Sequence, residues 1–85
     1  MPTSRTRVTS TSYPAAMDRT TGRAELAAIG DGLERYYHRI GGLVTSMATG
    51  GEREALADVL ASLHEVERSL KSAERGIQRA LKLLA

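Results

Sequence analysis

Apolar residues recur every three or four positions along two long stretches of the chain. In the last third, Glu52 to Ala85, the residues Leu56, Leu63, Leu70, Ile77 and Leu84 fall seven apart, and Val59, Val66, Ala73 and Ala80 each follow three residues behind the first four. Written as a heptad abcdefg, these sets occupy positions a and d, the pattern of a helix that packs lengthwise on other helices. An earlier stretch repeats it: Leu26, Ile29, Leu33, Tyr36, Ile40, Leu43 and Met47 alternate spacings of three and four. The pattern predicts helix 1 over about 23–48, entered through Thr20, Thr21 and Gly22, and helix 2 over about 52–84. The second seam stays in register across Gly41-Gly42, so helix 1 is expected to continue through the pair, although each glycine costs about 1 kcal/mol against Ala.

Between the two stretches, Thr49-Gly50-Gly51 reads as a turn. Thr49 and Glu52 have the spacing of a capping box, and the glycines suit a helix end with positive φ. Acidic residues early in helix 2 and Arg75, Arg79 and Lys82 near its end suit the helix macrodipole. A short turn makes the helices antiparallel neighbours. Folding about residue 50 sets Leu26 near Ala73 to Ile77 and leaves Ala80, Leu81, Leu83 and Leu84 beyond the start of helix 1. Leu60 and Leu81 at position e, with Ala55, Ser62, Ser69 and Gly76 at position g, widen the apolar or small face of helix 2 beyond what one partner helix needs. The expected fold class is therefore all-α: an antiparallel two-helix hairpin over 22–85, dimerising into a four-helix bundle, with an irregular basic arm over 1–21.

Composition sharpens this picture. A chain of 85 residues without Cys, Phe or Trp has an aliphatic core, no disulfide and no thiolate metal site, and gains most by oligomerising. The residues assigned to a partner interface are Leu33, Tyr36, Ile40, Leu56, Val59, Leu60, Leu63, Leu70, Ile77 and Leu81. No apolar run reaches a membrane span and no secretory h-region opens the chain, so a cytoplasmic location is the default expectation. Arg outnumbers Lys ten to two, which with abundant Ala and Gly suits a high-GC bacterial genome.

Charge is uneven. Residues 1–23 hold Arg5, Arg7, Arg19 and Arg23 against Asp18, while 52–85 balance six basic against six acidic groups. Arg5 to Tyr13 could form a strand, since Val, Thr and Tyr suit a pleated surface. Followed by helices, it resembles the ribbon-helix-helix repressors, whose dimeric ribbon enters the major groove. Both helices here are about twice the length usual in that family and the linker is long. The resemblance implies a nucleic-acid contact through Arg5 and Arg7, to which the basic stripe of helix 2, including Arg75 and Arg79, could add. The two-helix shape is also similar to the WXG100 secreted proteins, but Thr49-Gly50-Gly51 stands where they carry Trp-x-Gly, and no Tyr-x-x-x-Asp/Glu follows helix 2.

Chemistry is sparse. Folding about residue 50 brings Glu34 and His38 to the level of His64 and Glu67, a conceivable metal set. The heptad places His38 at outward position f and His64 at flanking position b, which favours surface histidines beside carboxylates of their own helix. No serine has a placed His and Asp, and no phosphate-binding glycine loop is present. We therefore expect no enzyme, no metal and no cofactor. The function expected is protein–protein association as a scaffold, adaptor or accessory subunit. The alternatives are a dimeric nucleic-acid-binding regulator and an obligate heteropartner of another helical protein.

Overall fold

The computed structural model describes residues 16–85. Over these residues the protein is all-helical: α1 runs Arg19–Thr49 and α2 runs Ala57–Leu84, packed against each other as a hairpin. The arm, with Arg5, Arg7 and the possible strand, lies outside the described residues.

α1 begins four residues before the expected start, and its cap explains why. Asp18 sits in extended backbone (φ −77°, ψ 170°) and its Oδ1 accepts from the Thr21 N–H at 2.7 Å, satisfying one of the donors a helix start leaves free. The Thr21 hydrogen bonds hold the Asp18 carboxyl below its ordinary pKa. The Gly22 N–H bonds the Asp18 carbonyl at 3.0 Å, so the helix is formed where the sequence suggested only an approach to one. It continues unbroken through Gly41 and Gly42 to Thr49.

The expected capping box does not form. The Thr49 hydroxyl donates backwards to the Thr45 carbonyl at 2.9 Å, as hydroxyls inside helices do, and so is turned away from the turn. Gly50 ends α1 in extended backbone (φ −82°, ψ 173°) rather than in the left-handed region. Residues 51–56 make a loose turn, held by Leu56 N–H to the Glu52 carbonyl at 3.0 Å and Ala57 N–H to the Glu54 carbonyl at 3.3 Å. α2 therefore starts at Ala57, with Leu56 at its cap and no side-chain cap bond. Asp58 in its first turn and Lys82 in its last keep the expected match to the dipole.

A longer turn shifts the register of the hairpin. A Cβ added at Gly22 would stand 3.9 Å from Leu84 Cδ1, one at Gly30 3.3 Å from Ile77 Cγ2, and one at Gly41 3.6 Å from Glu67 Oε2. Facing positions thus sum to about 107, not about 100. Leu26 faces the region of Leu81, and the end of α2 expected to overhang is met by the first turn of α1. Leu83 alone of that group is fully turned out, at 82% exposure.

The helices also use a different stripe from the one expected. On α1 the a positions Leu26, Leu33, Ile40 and Met47 are half-buried, as predicted, but their companions are Gly30, Tyr37 and Val44 at position e. On α2 the a positions Leu56, Leu63, Leu70, Ile77 and Leu84 are joined by Leu60, Glu67, Glu74 and Leu81, again at e. On α2 size favours this choice: position e offers Leu60 and Leu81, whereas position d offers only Val and Ala. Glu67 and Glu74 lie in the a/e stripe through their aliphatic stems. The resulting interior is thin. Only Val44 and Leu60 are buried among the described residues, and no side chain is fully enclosed.

Candidate functional site

Packing through a and e leaves position d uncovered. Ile29 (45% exposed), Tyr36 (56%) and Leu43 (46%) line α1, and Val59 (44%) and Val66 (39%) line α2. Because the helices are antiparallel, the turn from a to d runs in mirror senses on the two, so both d stripes face the same side of the hairpin. The protein thus presents one apolar side, built from residues that sequence periodicity placed in the core. A hollow of about 380 Å³ on this side is lined by Tyr36, Arg39, Ile40 and Leu43. The Arg39 guanidinium lies 5.7 Å from the centre of the Tyr36 ring, which keeps a charge at the rim while leaving the ring edge exposed.

The expected interface residues divide between two places. Leu33, Ile40, Leu56, Leu60, Leu63, Leu70, Ile77 and Leu81 belong to the seam between α1 and α2, half-buried or buried. Tyr36 and Val59 stand on the open apolar side. Ile29, Leu43 and Val66, absent from the expected interface, join them there. Their heptad position was readable; which of two adjacent stripes the hairpin itself would occupy was not.

The opposite side of the hairpin is polar. It carries Tyr37, His64, Glu67, Arg68, Lys71 and Arg75 around one hollow. Lys71 joins the helices there, with Nζ 4.5 Å from the Tyr37 ring centre and 3.4 Å from Glu74 Oε1. That Glu74 oxygen is shielded from solvent and makes no hydrogen bond, so the lysine charge is its compensation. His64 Nδ1 meets Glu67 Oε1 at 3.0 Å, and Arg68 pairs with Glu65. His38 lies 3.8 Å from Glu34 on its own helix. In the observed register His38 and His64 stand about 8 Å apart along the bundle axis, at 1.5 Å per residue. Among the described residues no group of three or more His, Asp or Glu side chains is placed to hold a metal ion.

Of the basic stripe, Arg75 and Arg79 are exposed and, among the described residues, neither is in an ion pair. They line a shallow groove with Lys71 and Lys82, interrupted by Glu34 and Glu74. Arg5 and Arg7 lie outside the described residues. No helix among the described residues is long and apolar enough to cross a membrane. No protein-family model, curated protein or solved structure matches this chain.

Proposed function

We propose that the protein is a self-associating helical module, whose hairpin completes its hydrophobic core by packing on another copy to form a four-helix bundle. One observation carries this reading: an apolar stripe of Ile29, Tyr36, Leu43, Val59 and Val66 lies exposed along one side of a hairpin whose buried core, among the described residues, is Val44 and Leu60. A domain of this size needs more enclosed apolar surface than one helix–helix contact supplies. Large contiguous apolar patches rimmed by polar residues are the mark of an association surface.

Light scattering after size exclusion, with circular dichroism on the same sample, tests the reading. A helical dimer or larger homo-oligomer of the 9.2 kDa chain is the expected result. A helical monomer at high micromolar concentration would refute it. A poorly helical chain that folds only with a different protein would replace it by the heteropartner alternative.

A second reading, contact with nucleic acid, draws on Arg75 and Arg79, which make no ion pair among the described residues, beside Lys82 along the outer edge of α2. The phosphate contacts it requires make it salt-dependent. Retarded migration of random duplex DNA at about 50 mM salt, lost at higher salt, is its signature. Loss of that shift on deleting residues 1–12 would assign the contact to the arm.

A further inference from the structure

The open apolar side has a polarity of its own, and it specifies how two copies meet. On α1 its residues are large: Ile29, Tyr36 and Leu43. On α2 they are small: Val59, Val66, Ala73 and Ala80, flanked at position g by Ser62, Ser69 and Gly76. Resting on the self-association reading above, we propose that the second copy is related by a two-fold axis parallel to the helices, so that α1 of each copy packs on α2 of the other and both turns lie at the same end.

Two features of the side agree on this arrangement. A two-fold axis parallel to the helices preserves height, so facing positions across the interface keep the sum of about 107 seen within the hairpin. Within two residues of those heights Tyr36 meets the partner subunit's Ala73, Ile29 meets the partner subunit's Ala80, and Leu43 meets the partner subunit's Val66. Each large side chain faces a small one, as interdigitating layers require. Stacking α1 on α1 would instead crowd Tyr36 and leave Ala73 and Ala80 facing residues too small to fill the gap.

Charge at the rim repeats the match. Arg39 and Glu25 lie at position g of α1, fourteen residues apart; Glu65 and Arg79 lie at position c of α2, also fourteen apart. In the proposed dimer Arg39 stands three residues in height from the partner subunit's Glu65, and Glu25 three from the partner subunit's Arg79. That offset, about 4.5 Å along the axis, is within the reach of an arginine side chain. A two-fold axis perpendicular to the helices could pair Glu25 with Arg39 only by centring on residue 32, which sets Leu43 against the partner subunit's Thr21 and leaves Val59 beyond the end of the facing α2.

The outer edge of the interface offers a direct test. Ser46 and Ser62 are exposed, both at position g, and stand at matching heights on α1 and α2. Within one chain they point away from each other on opposite edges; across the proposed interface they are neighbours. The chain has no native cysteine, so Ser46→Cys together with Ser62→Cys, treated with a short bis-maleimide, is expected to give a covalent dimer on a denaturing gel. Either single variant is expected to give none, with circular dichroism confirming that each variant keeps its helices. A noncovalent dimer that fails to cross-link in the double variant, or that cross-links through Ser69→Cys alone, overturns this orientation and leaves self-association standing. A native chain that is monomeric by light scattering overturns both. In an independent arm, Arg39→Glu is expected to weaken dimerisation by roughly tenfold and Glu65→Arg on the same chain to restore it. No recovery in the double charge variant would remove the rim pairing and, with it, the second support for the orientation.

Discussion

Asp18 fixes where α1 begins, and its carboxylate is the part that does so. The Thr21 N–H it accepts and the Thr21 side chain hold its pKa below the ordinary carboxylate value. A carboxyl with a lowered folded-state pKa adds stability that is in place above its unfolded pKa and is lost as pH falls through the folded one. The first turn of α1 is therefore expected to fray in acid, below the usual Asp range, and to be intact at neutral pH. The Thr21 amide proton, followed by NMR, should titrate with a midpoint lower than that of an unstructured Asp; Asp18→Asn, which still caps, should abolish the titration and keep the turn. Glycines give a second prediction at this scale. A Cβ at Gly42 meets nothing within 4 Å, whereas one at Gly30 comes to 3.3 Å from Ile77 Cγ2. Gly42→Ala should raise stability by about 1 kcal/mol, the helix-propensity difference, and Gly30→Ala should gain less or lose, because Ile77 must move. Equal gains in chemical denaturation would show that the helices do not approach closely at Gly30. The suspicion that a helix comes close over the glycines of α1 was readable from the sequence, but which glycine it meets depends on the register, and that is set elsewhere.

At the level of the helices, periodicity gave their existence, order and antiparallel packing, and position a proved to be the shared seam on both. The ends were less readable. Asp18 could not be chosen over Thr20 or Thr21 as the cap without knowing the backbone, and Thr49 at a helix end can bond backwards as well as forwards. The turn consequently runs through residues 50–56, and its extra length moves the register by about seven positions, one full heptad. A heptad shift keeps the same heptad positions opposite one another, so the hydrophobic pattern alone could not detect it. The choice between d and e as companion stripe was closed to the sequence for a related reason: Leu60 and Leu81 made e attractive on α2, yet Glu67 and Glu74 in the same stripe argued against it. Leu63 lies at position a, inside the seam under either reading. Leu63→Asp should destabilise the hairpin by about 3 kcal/mol or more, lowering helicity and association together. A variant with unchanged circular dichroism and mass would mean that Leu63 is not in the seam.

For the whole molecule, the proposed self-association would divide folding and assembly between the two sides of the hairpin. Tyr36 touches the seam little and stands 56% exposed on the apolar side, so Tyr36→Glu should leave the helical content of a hairpin largely intact at high concentration while weakening the dimer by an estimated two powers of ten, about 3 kcal/mol. Sedimentation of wild type and variant across a dilution series would read this directly; parallel curves would remove Tyr36 from the interface.

The thin interior between α1 and α2, with Val44 and Leu60 its only buried side chains among the described residues, has a consequence for the life of the chain in a cell. In the self-association proposed above, the hairpin relies on its neighbour for most of its enclosed carbon and so opens easily when alone, and opened backbone is what proteases cut. Assembled copies would be long-lived and orphan copies short-lived, so the pool of unassembled protein limits itself by turnover. Digestion by a nonspecific protease, kept well below saturation, should accordingly slow per molecule as protein concentration rises, whereas independent monomers would be cut at a constant rate per molecule, and a module assembling as proposed would regulate its own abundance through the stability that assembly confers.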